Sequence, residues 1–293
     1  MPARSVLLAL LVAVLWGGNF IALKLATQAF PPIFMAAMRF ACVAALMLPF
    51  VKVPTRAMLP GILAVSFTLG GLHFGPMFTG LSRVEAATGA ILSQLSVPFS
   101  ALLATLLFKE RLGLRQVAGI ALAFAGVALL AGAPGTASDP LGIGLIVIGA
   151  ACWAVANGVI KHFGPFDPLM LTGWMALFAA PQLLAVSLLV EHGQWQAVRE
   201  ADAAGWAAVS YIVLAAGVVG YTLWYSLLNL HPVSRIVPFA LLPPVIAVFL
   251  AIPLLHEPLT WNLAVGGLLT VAGVGLCELD LRRLVSVRPR RRG

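Results

Sequence analysis

The residues of this sequence that could do chemistry are few, and most sit inside long apolar stretches. Trp16 and Asn19 stand about one helical turn apart, and Trp153 and Asn157 repeat the pair further along the chain. His73, Phe74, Met77 and Phe78 form a second group. The i, i+3, i+4 spacing puts Phe74, Met77 and Phe78 on one helical face, and Tyr221, Trp224 and Tyr225 share that spacing. Gln94 stands between Ser93 and Ser96. Such rings can line a pocket for an apolar group, and an amide can meet both an ammonium and a carboxylate. These residues are predicted to bind a small organic molecule, although each also serves as core packing or as an interhelical hydrogen bond. Arg39 is either a structural anchor or a clamp for a carboxylate, because a guanidinium inside an apolar stretch must be paired, hydrated or snorkelling.

Other chemistries lack their residues. HExxH, GxSxG and a membrane-buried Asp pair are absent from the sequence, so catalysis is not expected. An ATP-driven pump would need a GxxxxGK[ST] loop, which is also missing. Cys42, Cys152 and Cys277 have no CxxC or Cys/His ligand spacing, so neither a metal nor a cofactor is expected. Glu85, Glu110, Glu257, Glu278 and Asp280 all fall at the ends of apolar stretches, which leaves a carboxylate proton relay without a carrier. His73 is the one candidate within a span for titration near neutral pH, and proton coupling is the alternative it supports.

The elements that must position these groups follow from composition. The chain is 61% hydrophobic and 10% charged, with a mean hydropathy of +1.02, whereas soluble domains are about 25% charged. A bilayer core about 30 Å thick takes about 20 apolar residues per helix. Ten transmembrane helices are predicted, near 5–27, 32–51, 58–80, 85–108, 114–133, 140–160, 167–190, 205–229, 233–255 and 260–279. Fourteen of the eighteen Lys and Arg then fall on the side of the amino terminus, which predicts that both termini are cytoplasmic. The basic tail 282–293 reads as a topology anchor touching lipid headgroups, not as a nucleic-acid site.

The chain also repeats itself. Trp16/Trp153, Lys24/Lys161 and Pro31/Pro168 are 137 apart, while Leu81/Leu228, Glu110/Glu257, Leu112/Leu259, Gly119/Gly266 and Gly126/Gly273 are 147 apart. A longer polar loop, Glu191–Gly205 against Lys52–Ala57, accounts for the difference. At the second offset Phe74, Met77 and Phe78 map onto Tyr221, Trp224 and Tyr225. The organisation expected is a first repeat at 1–133, a connecting loop at 134–139 and a second repeat at 140–281. Five spans per copy is an odd number, so the second copy is inverted. That plan recurs in secondary transporters, where two halves exchange roles. Gly75 and Pro76, Pro98, and Pro238, Pro243 and Pro244 are the expected hinges. Small residues such as Gly119/Ala123 and Gly266/Thr270 permit close helix packing, either within one monomer, which suffices for the fold, or between protomers.

The chain resembles the drug/metabolite transporter superfamily, in particular its EamA-type ten-helix branch. The resemblance covers essentially the whole chain. It rests on Trp16-Gly-Gly-Asn-Phe20, Met38-Arg39-Phe40, Gly80–Leu92, and above all Phe108-Lys-Glu-Arg-Leu112 followed by Gly119 and Gly126-Val127. It implies a substrate path between the halves and export or exchange of small metabolites, most commonly amino acids, across the bacterial inner membrane. The aromatic lining suits apolar or aromatic amino acids. Facilitated diffusion or exchange is the expected mechanism. A non-transporting structural protein or an intramembrane enzyme would leave the paired rings and broken helices unexplained.

Overall fold

The computed structural model describes residues 1–108, 112–132, 139–231 and 233–278. The basic tail, most of the connecting loop, the Lys109-Glu110-Arg111 block and the Tyr225 side chain lie outside the described residues. Among those described, every regular element is helical. Nine helical segments are long and apolar enough to cross a membrane: Ala3–Ala29, Pro32–Phe50, Arg56–Arg83, Ala86–Leu103, Leu114–Ala131, Pro140–Phe163, Pro168–Val190, Ala203–Leu228 and Pro238–Leu255. The tenth, Trp261–Cys277, is apolar but shorter. In chain order these are spans one to ten. Large apolar side chains such as Leu7, Leu188, Leu189, Phe249 and Leu268 stay exposed, as lipid-facing positions must.

Local chemistry explains where the spans begin. Pro32, Pro140 and Pro168 occupy first helical turns, where a missing N–H costs nothing. Asp139, Asp167 and Asp202 cap spans six, seven and eight, accepting from the backbone N–H of Leu141, Met170 and Gly205. Spans two and four lack a side-chain cap of their own at the N-cap position. Carboxylates from distant segments supply it. Glu191 accepts from Ile33 N and Phe34 N at 2.8 and 2.9 Å, and Glu257 accepts from Ala86 N and Ala87 N at 2.6 and 3.0 Å. The loop expected to be simply polar at 191–205 holds a short helix, Gln194–Glu200, whose Gln194 is buried against Ser187 and Glu191.

Packing joins the first five spans to the last five. Span two lies along span seven, and span five along span ten. Span one packs on spans eight and nine, while span six packs on spans three and four. At the five/ten contact a Cβ on Gly126 would lie 2.5 Å from the Gly266 carbonyl, and one on Gly273 would lie 2.5 Å from Ala123 N. Backbone cannot yield there, so these close approaches require glycine.

Besides the 3-10 turn Leu48–Phe50 that ends span two, spans three, four, eight and nine depart from regular α-helix. Span three is π-helical at Ser66–His73 and span eight at Tyr211–Gly220. Span four breaks between Ala86–Ser93 and Ser96–Phe108. Pro98 gives the reason: it has no N–H for the Gln94 carbonyl and its ring crowds that oxygen. Span nine is preceded by a helical turn, Val233–Ile236, and passes through a tighter 3-10 stretch, Val237–Leu241, before Leu242–Leu255. Pro243 and Pro244 do the same to the Phe239 and Ala240 carbonyls. The ninth span, expected near 233–255 and bent at its prolines, is divided there.

Candidate functional site

Span one supplies Trp16, and the local sequence explains how it reaches its partners. A Cβ on Gly17 would lie 2.6 Å from Ile246 Cγ2, and one on Gly18 would lie 2.5 Å from the Tyr211 hydroxyl. Two glycines thus bring span one against spans eight and nine. Trp16 then packs on Tyr221 and Trp224, with ring centres at 5.3 and 5.1 Å. Its Nε1–H donates to the Ala216 carbonyl at 3.2 Å, within the π-helical stretch. A π-turn shifts the backbone ladder by one residue and leaves carbonyls for outside partners. Tyr211 does likewise in reverse, donating its hydroxyl to the Leu15 carbonyl at 3.1 Å.

A second cluster gathers around Arg39. Its guanidinium carbon lies 4.9 Å from the Phe74 ring centre and 5.7 Å from those of Phe40 and Phe78. Tyr221 lies within electrostatic reach, which connects this cluster to the first. Arg39 Nε is buried with no hydrogen-bond partner. His73 is buried between Phe74 and Trp153, at 4.5 and 4.9 Å between ring centres. Its Nδ1 lies 2.8 Å from the Gly149 carbonyl. A carbonyl can only accept, so the proton is assigned to Nδ1. Met77 is buried against Gly149.

The predicted residues are therefore divided between two adjoining groups: Trp16, Tyr221 and Trp224 in one, and Arg39, His73, Phe74, Phe78 and Trp153 in the other. Asn19 is half-buried on span one, with its Oδ1 buried and unpartnered. Asn157 differs from its counterpart, being exposed on span six. Gln94 sits, half-buried, in the break of span four. Two polar groups escaped the sequence reading. Gln182 of span seven donates to Ser66 at 2.8 Å, at the start of the first π-helical stretch, and its Oε1 is buried without a partner. Pro181 beside it was the available signal.

The end of the molecule remote from the amino terminus holds charged groups. Lys24 donates to the Ser82 and Val84 carbonyls at 3.1 and 2.5 Å. Lys24 thus ties span one to the end of span three. Glu85 follows directly, and burial, more than the nearby Glu257, pushes its carboxyl above the usual range, with Lys24 opposing. A cavity of about 220 Å³ is lined by Lys24, Gln28, Arg83, Val84, Glu85, Leu255 and Glu257. None of the predicted substrate-binding residues lines it.

The model of the EamA-like transporter family matches residues 3–132 and again residues 140–278. A probable amino-acid metabolite efflux pump of Salmonella typhimurium is 32% identical over 285 residues, 94% of each chain. The protein of the same description from Escherichia coli is 30% identical, covering 98% of this chain and 99% of its own. A solved crystal structure aligns with a TM-score of 0.65, covering 98% of this chain and 100% of its own, at 21% identity, a likeness of fold alone. On the two family matches and the full-length relatives, this chain is a multi-pass membrane protein belonging to the EamA-like transporter family, a transporter and not an enzyme.

Proposed function

We propose that this transporter exports amino acids, apolar and aromatic ones included, through a path between two inverted five-helix repeats in the bacterial inner membrane, with both termini cytoplasmic. Arg39 carries the reading. A lone cation in the membrane interior costs several kcal/mol, by about 3 on insertion scales. Three ring faces return part of that, at roughly 0.5–2 kcal/mol each. They supply no acceptor for Nε, which stays buried and unpartnered. A substrate carboxylate would supply one, in the two-pronged geometry a guanidinium favours. The neighbouring rings, Phe74 and Tyr221 among them, suit the apolar side chain of the same substrate.

The inverted repeat is supported by irregularities that recur at the sequence offset of 147: π-helical stretches at Ser66–His73 and Tyr211–Gly220, and breaks at 94–95 and at Val237–Leu241. Broken helices at the interface of repeats are where transporters place substrate. The acidic side chains of the described residues lie toward span ends, which favours a facilitator or exchanger.

Counterflow of radiolabelled neutral amino acids into proteoliposomes tests the reading. Arg39→Gln is expected to raise the half-saturation concentration ten- to a hundredfold, the loss of about 1.4–2.8 kcal/mol. Amines lacking the carboxylate should be unaffected by the substitution. Absence of counterflow across the whole panel with folded wild-type protein would overturn amino-acid export.

A further inference from the structure

The cavity at the end remote from the amino terminus lies outside both aromatic clusters, yet the spans around it are those that carry them. Span one runs from Trp16 and Asn19 to Lys24 and Gln28, span three from His73 and Phe78 to Arg83, and span four from Glu85 and Ala86 to Gln94. Its lining balances two cations, Lys24 and Arg83, against two carboxylates, Glu85 and Glu257, with Val84 and Leu255 as apolar wall. At about 220 Å³ it is smaller than the roughly 300–1,000 Å³ of pockets for drug-sized molecules.

The charges in this lining do not satisfy one another by hydrogen bonding. The Glu257 oxygens accept from the backbone of Ala86 and Ala87, and the Lys24 bonds run to the Ser82 and Val84 carbonyls, which carry no net charge. Arg83 is drawn to Asp139, at 3.1 Å and half exposed. Glu85 Oε2 is left buried with no donor. An unpaired buried acceptor costs about 1–3 kcal/mol, more for a charged group. A cavity with no net charge, a carboxylate short of a donor and a lysine bonded only to carbonyls matches a molecule carrying both signs.

We infer that this cavity is a second binding site, for the zwitterionic head group of an amino acid, with the ammonium donating to Glu85 and the carboxylate facing Lys24. The inference rests on the export reading for the class of ligand but not for the site, which is distinct from the Arg39 cluster. The upward push on the Glu85 carboxyl from burial and from Glu257 accords with it, since an added cation would be welcome there. The site would hold substrate on the way between the aromatic clusters and the aqueous phase.

Gln28 is exposed and lines the cavity, so Gln28→Cys, in full-length protein with the three native cysteines replaced by Ala, reports on occupancy. The measurement is the labelling rate by a membrane-impermeant maleimide in proteoliposomes, with glycine, L-leucine or L-phenylalanine present. At least one of the three is expected to slow labelling threefold or more. Its N-acetyl derivative, which lacks the ammonium, should not. Adding Glu85→Gln should abolish the protection, whereas adding Arg39→Gln should leave it. The inference is overturned by protection from none of the three, by equal protection from the N-acetyl derivative, or by protection that survives Glu85→Gln or vanishes with Arg39→Gln. Protection without counterflow would remove amino-acid export and leave the site standing; counterflow without protection would do the reverse.

Discussion

Glu257 binds two backbone N–H groups of another span with one carboxylate, and this single residue closes the start of span four. The bonds are charge-assisted and Glu257 is buried, so neither oxygen can turn to water instead. In Glu257→Gln one oxygen becomes an NH2 that faces a backbone donor. The expected cost is about 1–3 kcal/mol, seen as a lower thermal unfolding midpoint in detergent. A shift no larger than that of the exposed Gln196→Ala would contradict the role. Glu85 behaves oppositely. Its carboxyl sits above the unfolded value, chiefly through burial, so the folded state binds the proton more tightly and loses stability as pH rises through that window. Glu85→Gln removes the liability and should raise the midpoint at neutral pH. The gain should shrink as pH falls below the carboxylate range, and a lowered midpoint at neutral pH would refute the assignment. Neither behaviour is legible in sequence, where both residues appear only as acids at the ends of apolar stretches.

At the scale of elements, irregular helices concentrate where the two aromatic clusters lie. Proline-driven breaks were legible: Pro98, Pro243 and Pro244 each deprive the carbonyl four residues back of its donor. The π-helical stretch Tyr211–Gly220 was not, because it contains no proline and its cause lies in tertiary partners such as Leu15 and Trp16. Pro98→Ala should let span four run continuously past Gln94. Helix interiors favour Ala over Pro by about 3 kcal/mol, so the variant should be no less stable than wild type. Counterflow should nevertheless fall at least tenfold if the break serves the transport path, and full counterflow would assign the break to folding alone. The glycine contact of spans five and ten gives a second comparison. Gly126→Val meets the Gly266 carbonyl and Thr270 N, whereas Gly144 has nothing within 4 Å of its added Cβ. Gly126→Val is expected to lose 3 kcal/mol or more, the usual range of about 1–3 for overpacking being set by side chains that can move. Gly144→Ala should be neutral. Equal yields of folded protein from the two variants would contradict the contact.

For the whole molecule, apolar length and composition made the membrane class and the number of spans legible, because lipid admits few alternatives to helices. The pairing of spans was legible only in part. Offsets of 137 and 147 identify equivalent positions, but they do not say that span two packs on seven and five on ten. Those partners depend on glycine contacts and on carboxylates from remote loops, which act only once the chain has folded. The charged cavity remote from the amino terminus was missed for the same reason: Lys24, Glu85 and Glu257 meet from three regions of the chain. Orientation follows from a different physical term. Lys and Arg near the ends of spans resist translocation, and the sequence reading of ten spans expects fourteen of the eighteen on the side of the amino terminus. Lys52 and Lys161 are expected on that side, and Arg83 and Arg199 on the other. In a background with Cys42, Cys152 and Cys277 replaced by Ala, an impermeant thiol reagent applied to spheroplasts should label Arg199→Cys and spare Lys52→Cys and Lys161→Cys until the membrane is opened. Arg199 stands in the short helix between spans seven and eight, while Lys52 and Lys161 fall at the ends of spans two and six. The three positions therefore sample both halves of the chain. Labelling of Lys161→Cys with Lys52→Cys and Arg199→Cys both spared would put the second half the other way up and remove the inverted repeat, whereas labelling of both lysine positions and not Arg199 would turn the whole molecule over and leave the repeat intact.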